Sequence, residues 1–94
     1  MLEIRKDIIF EMKKNTSVRN ILGETFFILD SESGKQYNLS EMEYEIVDMI
    51  TKGYKFDEIV DKIASEYNAE KEQISADLTE YVISLYEAGL IFVK

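Results

Sequence analysis

The sequence predicts an α+β fold: a three-stranded antiparallel sheet followed by three helices, in a winged helix-turn-helix-like arrangement. Three observations lead there. Between Ser17 and Asn38, β-rich runs alternate with short polar turns that carry glycine. From Leu39 the apolar spacing changes to a helical period and keeps it, with two interruptions, as far as Gly89. Finally, 94 residues of which 46% are apolar suffice for one modest core and one domain, residues 1–94.

Residues 1–16 form an N-terminal extension whose structure the sequence leaves open. Ile4, Ile8, Ile9 and Met12 fit a helical stripe, yet "DIIFEM" would also serve as a strand. The strands are then expected near 18–22, 25–30 and 35–38. Gly23-Glu24 is read as the first hairpin loop and "DSESG" as the second turn. Ser40 with Glu43 three residues on is a capping-box pattern that starts the first helix, and Gly53 suits its end. Met42, Ile46, Met49 and Ile50 line one face of it. Phe56, Ile59, Val60, Ile63 and Tyr67 form the stripe of the second helix. Asn68 is expected to cap the third, whose inner face carries Ile74, Leu78, Tyr81, Val82 and Leu85. Gly89 stops that helix. "LIFVK" is expected to fold back onto the core or to pair with the sheet.

Composition excludes much chemistry. The chain has neither histidine nor cysteine. The commonest general base, the commonest metal ligand and every thiolate are therefore missing. "DSESG" lacks the ligand run of a calcium loop, and no phosphate-binding glycine motif occurs. No serine sits in the Asp-Ser-Leu-like setting of a carrier protein. No catalytic residue, metal or cofactor is expected. The formal charge is −8, with residues 1–20 at +2 and the remainder at −10. A body so acidic repels a phosphate backbone. The start carries charges at Glu3, Arg5, Lys6 and Asp7 with no uninterrupted apolar stretch, and no run approaches a membrane span. The expected setting is the cytoplasm.

A binding module remains. In a three-stranded meander an outer strand keeps unpaired N–H and C=O groups. The predicted third strand, "KQYNL", carries one charge, Lys35, and the long last helix can flank it. A strand edge beside an apolar helix face is a slot for an extended peptide. The same edge invites a strand-exchanged homodimer.

Four segments carry a resemblance. "NILGETFFIL", "LSEMEYEIVDMI", "KFDEIVDKIASEYNA" and "DLTEYVISLYEAGLI" occur in this order at matching intervals, over about residues 17–92. In them the chain resembles the PqqD-like proteins, the RiPP recognition elements that bind leader peptides for peptide-modifying enzymes. The resemblance implies a non-enzymatic protein that binds the leader of a ribosomally made precursor. Its partner enzyme would be a radical SAM maturase or a lasso-type protease and cyclase. Leader contact is carried over onto Lys35, Gln36, Tyr37 and Asn38 of the third strand. From the third helix it is carried over onto Asp77, Leu78, Tyr81, Val82 and Leu85. Two residues depart from the family pattern: Ser40 stands where asparagine is usual, and Glu43 where a small residue is common. The alternative is a winged-helix DNA-binding regulator. Its third helix would have to enter a major groove carrying Glu70, Glu72, Asp77, Glu80 and Glu87 against Lys71 alone.

Overall fold

A computed structural model describes residues 2–94. Its element order is β1 (Phe10–Met12), β2 (Thr16–Ile21), β3 (Thr25–Asp30), β4 (Lys35–Leu39), α1 (Glu41–Thr51), α2 (Phe56–Glu66), α3 (Lys71–Glu87) and β5 (Ile91–Val93). The expected meander is present, antiparallel in the order β2-β3-β4. Ile28 pairs with Val18 on one side and Tyr37 on the other, so these three side chains share a face. That face packs on α1: Ile28 is fully buried, and the Phe26 and Tyr44 rings lie 4.9 Å apart.

The open question of residues 1–16 resolves, apart from Met1, which lies outside the described residues, as irregular backbone leading into a three-residue strand. Phe10–Met12 pairs antiparallel with Ile91–Val93, Phe10 against Val93 and Met12 against Ile91. The last strand therefore joins a separate two-stranded sheet instead of the meander, and Leu90 and Ile91 enter the core. Upstream, the carbonyls of Lys6 and Ile8 accept from Asp57 N–H and Phe56 N–H at 2.9 Å. Backbone thus serves two of the orphan donors at the start of α2.

Helix boundaries follow local chemistry. Ser40 caps α1 as expected: Glu43 N–H donates to Ser40 Oγ at 3.1 Å, and Ser40 N–H donates to Glu43 Oε1 at 2.8 Å. All three helices end in the same device, with paired 6→1 and 5→2 backbone bonds around a left-handed residue. At α1 that residue is Gly53, with Tyr54 N–H reaching Met49 C=O and Gly53 N–H reaching Ile50 C=O. At α3 it is Gly89. At α2 it is Asn68, at φ 50°, with Ala69 N–H on Ala64 C=O at 2.9 Å. Asn68 therefore stops the second helix and does not cap the third, whose N-cap is Glu70. Tyr67, read as part of the α2 stripe, lies just past the helix end and is 40% exposed.

The first hairpin also turns one residue earlier than expected. Leu22 and Gly23 both have positive φ, and Glu24 N–H donates to Ile21 C=O at 3.0 Å. That is the sign pattern of a I′ turn centred on Leu22-Gly23. At the second turn Asp30, 3% exposed, accepts from Lys13 Nζ at 2.7 Å and from Glu32 N–H at 3.0 Å. The lysine beside it holds the Asp30 carboxyl below its ordinary range, and the backbone donors add to this.

One feature of the helical layer is unfavourable at neutral pH. Glu45 on α1 keeps an oxygen buried without a hydrogen-bond partner. Burial, then the neighbouring Glu66, then the charge of Glu41 push its carboxyl up to about 7. The folded state accordingly holds a proton that the unfolded chain, at 4.5, has released. Stability is expected to fall as pH rises from about 4.5 to 7. Glu45→Gln should flatten that slope and be the more stable protein above pH 7. The gain is of order 1 kcal/mol, held down because Glu66 is exposed and screened. Urea midpoints of both proteins at acid and alkaline pH check this. A parallel pH dependence in the two would refute it.

Candidate functional site

β4 is an outer strand of its sheet. It pairs with β3 on one side, and no described strand pairs with the other. Lys35, Gln36 and Asn38 are exposed, whereas Tyr37 and Leu39 turn inward and are partly buried against the core. On the outer face the Gln36 side-chain amide donates to Asn38 Oδ1 at 3.2 Å. The strand is short, and its second edge has no strand partner among the described residues.

β4 runs directly into Ser40 and α1, and a cavity opens there. It measures about 370 Å³ and lies between the first half of α1 and the middle of α3. Its apolar surface comes from Met42 and Ile46 of α1, Ile63 of α2, and Ile74 and Leu78 of α3. Ser40, Glu43, Asp77 and Tyr81 complete it. Helical spacing explains the set: Ile74, Leu78 and Tyr81 recur every three or four residues on one face of α3.

Of the residues singled out on α3, Asp77, Leu78 and Tyr81 line this cavity. Val82 and Leu85 are deeper: they are 0% and 6% exposed, belong to the core, and do not line it. In the sequence Met42, Ile46 and Ile74 read as core stripe, and Glu43 as half of a capping box and a departure from the family pattern. Their part in the cavity depends on how α1 and α3 are set against each other, which spacing within one helix does not reveal.

Tyr81 is the unusual member. Its hydroxyl oxygen is buried and has no hydrogen-bond partner among the described residues. Burial and the charge of Glu43 push the phenol well above its ordinary range, so it stays protonated and able to donate. A buried donor without a partner is costly. A second cavity, about 660 Å³, lies between α2 and α3 away from β4. Its rim is already ion-paired, Lys71 to Asp61 at 3.1 Å. No group of three or more carboxylates is placed to hold a metal, and no helix is long and apolar enough to cross a membrane, among the described residues.

The family model of Coenzyme PQQ synthesis protein D (PqqD) matches residues 25–91. No curated protein matches the chain. Two solved structures share the fold. One is TbiB1 in complex with the TbiA(beta) leader peptide, at 21% identity and a TM-score of 0.77, covering 86% of this chain and 93% of that one. The other is lasso peptide synthetase B1 complexed with the leader peptide, at 25% identity and a TM-score of 0.78, covering 88% and 96%.

Proposed function

We propose that this chain, which belongs to the PqqD family, binds the leader segment of a ribosomally made precursor peptide and presents it to a separate modifying enzyme. The observation that carries the reading is the uncovered edge of β4 running into an apolar cavity walled by α1 and α3. An extended leader adds a strand to β4 through main-chain hydrogen bonds. Every second side chain then faces the helices, and one enters the cavity.

Lys35, Gln36, Tyr37 and Asn38 supply the pairing strand. Leu78 and Tyr81 supply cavity wall, Asp77 its margin, and Val82 and Leu85 support the wall from the core. The chain itself does no chemistry in this reading. It has no histidine or cysteine to act as base or nucleophile, and its part is to raise the local concentration of precursor at the enzyme. Either a radical SAM maturase or a lasso-type protease and cyclase would be served. The 25% identity to lasso peptide synthetase B1 supports the second. The DNA-binding alternative has nothing in its favour: α3 buries Ile74, Leu78, Val82 and Leu85, and its remaining charge is acidic.

The test is hydrogen exchange with and without a synthetic leader peptide of a candidate precursor. Main-chain amides of residues 35–39 are expected to slow on binding, with affinity in the micromolar range or tighter. Protection of another surface, with 35–39 unchanged, would discard the assignment.

A further inference from the structure

We infer that the leader segment taken by this chain carries a lysine or arginine two positions from the apolar residue that fills the cavity, held by Glu43 and Asp77. This rests on the peptide-binding reading above and adds the side-chain chemistry of the ligand.

The two carboxylates come from the two helices that flank the cavity, Glu43 from α1 and Asp77 from α3. Each has one oxygen engaged. Glu43 Oε1 accepts from Ser40 N–H at 2.8 Å, and Asp77 Oδ1 accepts from the Gln73 side-chain amide at 3.0 Å. The second oxygen of each has no internal partner, and neither residue takes part in an ion pair among the described residues. No basic side chain lines the cavity. Two uncompensated negative charges therefore stand at the mouth of an apolar hole, on a molecule already at −8. An acidic ligand side chain is repelled there and a cation is drawn in.

Geometry fixes the spacing. On a strand added to β4, side chains two apart share a face, so the neighbour of the buried anchor on the helix side stands at plus or minus two. The stem of lysine or arginine can lie along Met42 and Leu78 while its head reaches the carboxylates. The buried Tyr81 hydroxyl, with no acceptor of its own, offers the same segment a hydrogen bond.

The experiment selects a displayed library of short random peptides on the purified protein at low salt. Retained peptides are expected to pair a large apolar residue with lysine or arginine two positions away. The double variant Glu43→Gln with Asp77→Asn should bind them roughly three- to tenfold more weakly, with a flatter salt dependence. It should also retain peptides without the basic bias. Both replacements keep the acceptors that Ser40 N–H and Gln73 use, so folding is preserved. Enriched peptides that protect residues 35–39 but lack the cation, or a basic bias that survives in the double variant, overturn this inference alone. Failure to enrich any peptide, or enrichment onto another surface, overturns the peptide-binding reading with it.

Discussion

Replacing Ile91 by alanine is expected to lower the unfolding free energy by about 3 kcal/mol, a large share of the roughly 5–15 kcal/mol available to a domain of this size. Ile91 has no exposed surface, and Leu90 before it is 2% exposed. Both lie in the one core, with Phe10 on the facing strand and Val82 and Leu85 on α3. Truncation removes buried methyl and methylene groups and leaves a cavity that a short paired strand cannot collapse to fill. The pairing itself survives, because Lys13 N–H on Leu90 C=O and Lys94 N–H on Ile9 C=O are main-chain bonds. The loss should thus appear as a shifted denaturant midpoint with an unchanged slope. Phe92→Ala is the control: Phe92 is 45% exposed, and its replacement should cost well under 1 kcal/mol. Equal effects from the two replacements would show that β5 stabilises by pairing and not by burial.

That strand also marks where the sequence could be read and where it could not. The Ser40–Glu43 box and the Gly53 and Gly89 stops rest on contacts within a few residues, and the meander pairs strands that follow one another in the chain, so pattern alone places them to within a residue or two. Ile91 shows the limit. Its apolarity announces burial, but its pairing with Met12 spans nearly the whole chain, and no local signal distinguishes that partner from the meander. The hairpin tip failed for another reason. Leu22 adopts φ 56°, a region that side chains avoid, whereas the pattern points to Gly23-Glu24. Asn68 failed because one residue type suits two tasks: its short polar side chain caps helix starts, and its tolerance of left-handed backbone ends them. At the candidate site, the β4 edge and the stripe positions Leu78 and Tyr81 follow from pattern, and Asp77 from the resemblance alone. The cavity between them does not, because it is made by the relative placement of two helices.

Tyr81 separates stability from binding most sharply. The Tyr81→Ala variant is expected to bind the leader about 10- to 100-fold more weakly, the range of an aromatic anchor at the centre of an interface. It removes one wall of the cavity that an incoming side chain would touch. Tyr81→Phe keeps that wall and deletes only a hydroxyl that is buried without a partner. The free protein should therefore become more stable, by up to about 1 kcal/mol, because an unsatisfied donor has been removed. Leader affinity should fall at the same time, by roughly three- to tenfold, if the peptide supplies the missing acceptor. Thermal melts and leader titrations on the same two variants check both directions. A phenylalanine variant that is less stable than the parent would mean that the hydroxyl already has its partner in the free protein, water included. Full affinity in the alanine variant would remove the cavity from the binding site. The opposed signs in one substitution are what a ligand-ready group predicts: the fold tolerates an orphaned donor at a cost, and a peptide bound there would relieve it.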